Sequence, residues 1–186
     1  MNTIFIKSLK YCIKKLHENK VIAYPTESVF GLGCNPDSKI AVKKLLFLKN
    51  RNINKGFILI SSNYSQLVPY ISEKKILNKK KILLENKFFL TYLVPAVQGI
   101  PIWLTGSSKF IAVRITKNKF IKNLCFIYGK PIISTSANIS GYKPCLNNYE
   151  IKNVFGKDFP ILKGFLGDGK KPSKIVNLLT GEILRE

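Results

Sequence analysis

Short apolar runs that read as strands alternate with helical segments along the whole of this 186-residue chain. Helices are predicted at residues 4–19, 38–49, 73–86, 118–128 and 148–155. Strands are predicted at residues 21–24, 57–60, 90–94, 110–115, 131–134 and 160–163, followed by a terminal hairpin that turns at Thr180-Gly181. This alternation predicts an α/β fold with a twisted, mixed sheet. Ligands of such sheets bind at strand ends, where the loops gather.

The length and the hydropathy pattern limit where such a chain can work. Residues 1–186 are predicted to form a single domain. No apolar run approaches the ~20 residues that span a bilayer. The first twenty residues are interrupted by lysines, which is not the pattern of a signal peptide. We therefore expect a cytoplasmic protein without membrane contact.

The net charge of +21 has two interpretations. It indicates a polyanionic partner, such as nucleic acid or a nucleotide, or it reflects a composition in which Lys, Ile and Asn are abundant throughout. Only three of the 31 basic residues are arginine. Arginine offers a planar fork that lysine lacks, so Arg51 and Arg114 are candidates for anion binding. Arg185 is expected at a frayed terminus, without a role.

The scarcity of histidine and the spacing of the cysteines exclude several classes of site. The one histidine, His17, lies on a lysine-rich predicted helix and is expected to be solvated, which argues against a Ser-His-Asp triad or a His-ligated zinc site. The four cysteines are widely separated, so we predict ordinary buried or semi-buried thiols rather than a disulfide framework or a zinc site.

Two glycine-rich segments resemble nucleotide motifs without satisfying them. Residues 164–171 approach a P-loop, but Lys171 stands where Ser or Thr is needed and Pro172 breaks the helix that should follow. We interpret them as a flexible loop, a candidate lid. Gly31-Leu-Gly33 lacks the third glycine of a dinucleotide motif and is interpreted as a tight turn against a strand.

Three polar clusters remain, each at the end of a predicted element. They are residues 26–28, with two hydroxyls; Lys49 and Arg51, with Lys55 further on; and residues 134–141, rich in Ser, Thr and Asn. One interpretation of the first cluster is that its hydroxyls stabilise a turn, and one interpretation of the second is that its cations balance the negative end of a helix dipole. Hydroxyls, amides and cations also bind phosphate, and the three clusters together predict a phosphate pocket.

Four segments together resemble the YrdC/TsaC-type family of threonylcarbamoyl-AMP synthases, in its short, single-domain form. They are AYPTESVFGLGCNPDS, KNRNINKGFILI, IAVRI and STSANISG. The resemblance implies a twisted, open, mixed sheet with flanking helices around a concave basic cavity. It also implies conversion of L-threonine, bicarbonate and ATP into threonylcarbamoyl-AMP and pyrophosphate. Partner enzymes would then transfer the threonylcarbamoyl group to the adenosine beside the anticodon of tRNA.

The same resemblance implies roles for individual residues. The Lys-x-Arg and Ser-x-Asn pairs of the family fall on Lys49, Arg51, Ser136 and Asn138, which would hold the triphosphate and carry catalysis, with Lys55 adding charge. No protein metal site is expected, and Mg²⁺ would arrive on the ATP.

The threonine site implied by the resemblance consists of Thr26, Arg114 and Ser134. The loop containing Ser173 would close over it. Relatives usually carry a Pro-Gly-Pro turn where this chain has Lys87-Phe88-Phe89, which predicts a reshaped cavity wall. Glu27, which lies inside the first of the four segments, is not assigned as a base.

The main alternative is a non-catalytic basic protein that binds tRNA or ribosomal RNA. The net charge supports it, but the aromatic residues are not arranged as in RNA-binding motifs. Whether the basic surface of an enzyme also contacts tRNA stays open at this point. A hydrolase of an acyl or carbamoyl phosphate would need a nucleophile or base that the motifs do not offer.

Overall fold

The computed structural model of the chain describes residues 3–85, 90–169 and 172–185. The strands are β1 Ile22–Pro25, β2 Phe30–Gly33, β3 Ile58–Ser61, β4 Leu90–Pro95, β5 Phe110–Ile115, β6 Ile132–Ser136, β7 Lys174–Asn177 and β8 Ile183–Arg185. The helices are α1 Thr3–His17, α2 Lys39–Lys49, α3 Glu73–Ile76, α4 Lys80–Glu85, α5 Ile102–Thr105, α6 Lys119–Tyr128 and α7 Asn148–Phe155. The strands form one eight-stranded sheet in the order β1-β2-β6-β3-β5-β4-β7-β8. β3 pairs with β5 and β4 with β7 in parallel, while the other neighbours are antiparallel, so the prediction of a mixed α/β sheet is confirmed.

Alternate residues along the strands supply cores on the two faces of the sheet. Ile22, Ile60 and Ile132 pack in one cluster with the apolar residues of α1 and α6. Their neighbours Leu59 and Ile133 pack in a second cluster with α2 and the segments around α3 and α4. Helices therefore pack against both faces of the sheet.

The ends of α2 determine where the basic cluster lies. Ser38 caps the helix by accepting a hydrogen bond from the Ala41 amide at 3.1 Å. At the other end Asn50 adopts a left-handed conformation with φ of 47° and closes the helix. The chain reverses there, which separates the direction of Lys49 from that of Arg51.

Three predicted elements differ from the structure. Residues 30–33 form β2 rather than a tight turn, because a Cβ at Gly33 would lie 2.6 Å from the Ile133 carbonyl oxygen, so glycine permits close approach of this strand to β6. Residues 160–163 do not form a strand: only Ile161 makes an isolated bridge, with Ala23. The helix predicted at 73–86 is divided into α3 and α4 by a 3-10 turn at Leu77–Lys79.

The C-terminal hairpin is confirmed, and it corrects the expectation for Arg185. β8 pairs with β7 in the register Ile175↔Arg185. Gly181 adopts a φ of 80° in the connecting turn, a conformation that glycine allows. Arg185 is therefore held in the sheet rather than at a frayed end.

The predicted state of the cysteines is also confirmed. Cys12, Cys34, Cys125 and Cys145 are free and buried. No helix in the described ranges is both long enough and apolar enough to cross a membrane.

Candidate active site

A cavity of about 800 Å³ lies over one face of the central strands β3, β5 and β6, and the loop between β1 and β2 also lines it. Its polar lining residues include Thr26, Glu27, Ser28, Arg51, Lys55, Arg114, Ser134, Ser136, Ser173 and Arg185. The sheet order explains this convergence, because β6 lies between β2 and β3, and β5 follows β3. Residues that are far apart in the sequence thus meet in one concave, basic site.

Most of the residues selected from the sequence line this cavity. Nine site residues were selected, and seven of them line the cavity: Thr26, Arg51, Lys55, Arg114, Ser134, Ser136 and Ser173. Lys49 and Asn138 do not line it. These assignments concern position only; the binding roles remain predictions.

Arg51 presents a partly desolvated guanidinium to the cavity. Its Nη2 donates to the Gly56 carbonyl at 2.9 Å, and its Cζ lies 4.9 Å from the centroid of the Phe57 ring. Its Nε is buried and has no hydrogen-bond partner among the described residues. Burial, and secondarily the charge of Arg185, lowers the pKa of Arg51. A buried donor without a partner is costly, so an anionic ligand at Arg51 would supply a missing acceptor.

Arg185 is a site residue that the sequence reasoning missed. Its Nη2 and Nε donate to the Ser173 carbonyl at 2.6 and 3.1 Å, which fixes the guanidinium at the cavity wall. Burial lowers the pKa of Arg185, and the nearby charge of Arg114 lowers it further. The scarcity of arginine was the signal that pointed to this residue; its position near the end of the chain concealed it. All three arginines of the chain thus line one cavity.

Glu27 is the second residue that was missed. Its Oε1 lies 2.5 Å from Arg114 Nη2, and both side chains are largely buried. The other carboxylate oxygen, Oε2, is buried without a hydrogen-bond partner among the described residues. Glu27 is the one acidic residue among the described lining residues, so the cavity as a whole stays electropositive.

We expect the replacement Glu27→Gln to lower the free energy of unfolding by about 3 kcal/mol, because it leaves the buried Arg114 without its opposite charge. Urea denaturation measures the change. Glu18→Gln is the matched control, since it removes an exposed ion pair to Lys15 and should cost no more than about 1 kcal/mol. Equal costs for the two variants would contradict a stabilising buried pair.

Thr26 occupies the cavity rim but uses its hydroxyl within the chain. Oγ1 donates to the Val29 carbonyl at 2.7 Å, which closes the turn between β1 and β2. This is the turn chemistry that the sequence left open as an alternative. The threonine-binding role of Thr26 stays a prediction.

The glycine-rich loop packs against the same turn. The amides of Gly167 and Gly169 donate to the carbonyls of Thr26 and Glu27 at 3.0 and 2.7 Å. Ser173, further along, contacts Thr91 Oγ1 at 2.8 Å. The lid hypothesis stays a prediction, and Lys170 and Lys171 lie outside the described residues. The reshaped cavity wall predicted at Lys87-Phe88-Phe89 also lies outside them.

Lys49 lies behind the cavity wall rather than in it. Its Nζ donates to the carbonyl oxygens of Ser136 and Asn138 at 2.6 and 2.8 Å, and to Asn138 Oδ1 at 3.2 Å. Its exposed fraction is 2%. Burial lowers the pKa of Lys49 to about 8, and the charge of Arg51 adds to this effect.

This pKa predicts a pH-dependent contribution to stability. Between pH about 8 and 10.5 the unfolded chain binds the Lys49 proton and the folded chain does not, so the contribution of Lys49 to the unfolding free energy rises with pH. Relative to Lys49→Met, the wild type should gain about 3 kcal/mol across this window.

Denaturant unfolding at several pH values measures that difference. The wild type must be compared with Lys49→Met, because buried thiols such as Cys12, with a pKa raised to about 12, make both proteins less stable as the pH rises. Subtracting the unfolding free energies of the two proteins removes this shared effect. A constant difference between wild type and variant from pH 7 to 10.5 would show that the pKa of Lys49 is not lowered.

Comparisons with known proteins identify relatives of this chain. Residues 14–186 match the family model Sua5/YciO/YrdC, described as "Telomere recombination". A threonylcarbamoyl-AMP synthase of Buchnera aphidicola (subspecies Baizongia pistaciae) is 52% identical, over 97% of this chain and 98% of its own. One from Escherichia coli O1:K1 is 45% identical, over 94% and 93%. The crystal structure of P. abyssi Sua5 complexed with L-threonine has a TM-score of 0.77 and 25% identity, over 91% of this chain and 50% of that chain.

Proposed function

Because the chain belongs to the Sua5/YciO/YrdC family, we propose that it is an L-threonylcarbamoyladenylate synthase that serves the threonylcarbamoyladenosine modification of tRNA. The relatives that carry this name match nearly the whole chain, at 43–52% identity. The observation that carries the proposal is the cavity lined by three arginines. Guanidinium groups suit both the phosphates of a nucleoside triphosphate and the carboxylate of an amino acid. The enzyme is a nucleotidyltransferase that uses ATP as a substrate.

The reaction has two stages. The amine of threonine and bicarbonate first form a carbamate, with loss of water. A carbamate oxygen then attacks the α-phosphorus of ATP, and pyrophosphate leaves. Charge accumulates on the phosphoryl oxygens and the leaving group, so fixed donors and cations stabilise the transition state.

Arg51, Lys55 and Ser136 are proposed to hold the triphosphate, and all three line the cavity. Arg51 supplies a buried donor without a partner, and Lys55 an exposed charge. Arg185 adds a third cation near Arg51. Mg²⁺ is proposed to arrive as part of the nucleotide substrate and to neutralise charge between its phosphates.

Arg114, Ser134 and Thr26 are proposed to bind threonine. Arg114 would pair with the α-carboxylate, as guanidinium groups do in bidentate contacts. The threonine complex of P. abyssi Sua5 supports an amino acid site in this fold. Closure of the loop containing Ser173 would then exclude water from the reacting groups.

The wider setting of the reaction is also proposed. The product is a reactive mixed anhydride, which downstream threonylcarbamoyl-transfer enzymes would take over in the cytoplasm. Residues 1–186 would act as one domain, and the basic surface could bring the enzyme to tRNA.

Pyrophosphate release tests the proposal. We expect release from ATP only when L-threonine and bicarbonate are both present, with a fall to background when either is omitted. Turnover that does not depend on threonine would contradict the proposal. Tight binding of tRNA with no pyrophosphate release under any condition would favour the non-catalytic RNA-binding protein.

A further inference from the structure

Lys49 contacts the loop that follows β6 with both its side chain and its backbone. The ammonium group donates to the carbonyl oxygens of Ser136 and Asn138, and the Lys49 carbonyl accepts from the Ser140 amide at 2.8 Å. One residue at the end of α2 thus fixes both ends of a five-residue segment. We call Lys49 together with Asn138 the brace.

The hydrogen-bonding capacity of Lys49 is already used. An ammonium group has three N–H donors, and Nζ has three acceptors at 2.6, 2.8 and 3.2 Å. A phosphate oxygen could be bound only by giving up one of them. The side chain is also 2% exposed and does not line the cavity.

Asn138 is engaged in the same way. Its Nδ2 donates to the carbonyls of Ile139 and Tyr142 at 3.0 and 2.8 Å. Its Oδ1 accepts from Ser136 Oγ at 2.6 Å and from Lys49. Both hydrogens of the amide and its oxygen therefore have partners within the loop, and Asn138 does not line the cavity either.

We propose that Lys49 and Asn138 are positioning residues, which act on the substrates through Ser136 and do not touch the nucleotide. Ser136 is the residue of this network that lines the cavity, and its hydroxyl is oriented by Asn138 Oδ1. The brace thereby divides the Lys-x-Arg and Ser-x-Asn pairs into two halves. Arg51 and Ser136 face the cavity, while Lys49 and Asn138 hold the loop from behind.

A buried cation suits this task for an electrostatic reason. The carbonyl oxygens of Ser136 and Asn138 are bound to Lys49, so the negative ends of these dipoles point away from the cavity. These two carbonyl oxygens are thereby kept from facing an anion in the cavity. A neutral side chain at residue 49 could not hold both carbonyls and the Asn138 amide oxygen with comparable strength.

Chemical labelling of lysine amines in the intact protein tests the position of Lys49. N-acetylation at pH 8 is followed by mass spectrometry, with Lys55 as the matched cavity lysine because it is exposed. With a pKa of about 8, an accessible Lys49 would react faster than an ordinary lysine. We expect the opposite: acetylation at least about 10-fold slower than that of Lys55, with or without ATP, because burial excludes the reagent. Labelling of Lys49 as fast as Lys55, with protection by ATP, would overturn the proposal.

A double-mutant cycle tests whether the brace acts through Ser136. If it does, the losses in kcat/KM caused by Lys49→Met and by Ser136→Ala should not multiply. The double variant should lose at most about 3-fold more kcat/KM than Lys49→Met alone. Multiplication of the two losses, in variants that retain a cooperative thermal transition, would mean that Lys49 contacts substrate independently. Asn138→Ala with Ser136→Ala should follow the same rule.

This inference rests on the proposed function only for the kinetic cycle. If the wild type released no pyrophosphate, the proposed function would fail, while slow labelling of Lys49 would still support a buried brace. If the wild type is active and Lys49 is labelled rapidly and protected by ATP, only the brace fails.

Discussion

The variant Arg51→Ala is expected to release pyrophosphate roughly 10²–10³-fold more slowly than the wild type. Its guanidinium is oriented by the Gly56 carbonyl and the Phe57 ring, so it is already in place before charge develops on the phosphates. Its buried Nε has no hydrogen-bond partner among the described residues. Alanine removes both the charge and this oriented donor, and no other residue can replace them from the same position. The measurement is steady-state pyrophosphate release at saturating threonine and bicarbonate.

A charge-matched control separates this effect from a change in net charge. Lys122→Ala removes a positive charge from the exposed face of α6, outside the cavity, and should leave the rate within about 2-fold. The unfolding midpoint of Arg51→Ala should stay close to that of the wild type, because the lost contacts are offset by removal of a buried Nε donor that has no partner among the described residues. A rate of Arg51→Ala within a few-fold of the wild type would remove Arg51 from the proposed phosphate site.

The variant Arg114→Lys is expected to raise the KM for threonine by about 10- to 100-fold while leaving the KM for ATP nearly unchanged. A lysine keeps the positive charge beside Glu27, so the buried pair persists in altered form. It replaces a planar fork by a point charge, and a hydrogen bond to a charged group contributes about 1.5–3 kcal/mol. Initial rates measured against each substrate in turn give both constants.

A crossed comparison makes this prediction selective. Arg51→Lys should change the requirement for ATP more than that for threonine, because Arg51 is placed at the proposed triphosphate site. If Arg114→Lys instead raised the requirement for ATP, the two halves of the cavity would have been assigned to the wrong substrates. Equal changes for both substrates in both variants would indicate a general loss of structure.

Local chemistry explains why so much of the fold was predictable. Ser38 before an apolar helix, Gly129 after another, and a Thr-Gly turn near the C-terminus each dictate a local structure that their neighbours do not alter. The elements that were predicted wrongly depend on distant partners. Gly31 and Gly33 belong to a strand because β6 and the Tyr24 ring require close approach there, which no neighbouring residue signals.

The candidate site divides in the same way. Arginine scarcity and the clusters of hydroxyls and cations led to Arg51, Arg114, Ser134 and Ser136, all of which line the cavity. Glu27 and Arg185 were missed, because their importance comes from partners that are distant in sequence. Glu27, in the loop between β1 and β2, meets Arg114 on β5, and Arg185 reaches Ser173 through the terminal hairpin.

The sequence by itself determined the alternation of strands and helices and the residue types that face the cavity, because these follow from local pattern and composition. Only the tertiary structure decided which cations meet the cavity. Lys49 and Arg51 stand two residues apart, yet the left-handed Asn50 turns one towards buried carbonyl oxygens and the other towards the site. The reason is physical: burial and hydrogen-bond partners, and not residue type alone, determine whether a positive charge stabilises the chain or remains available to a ligand.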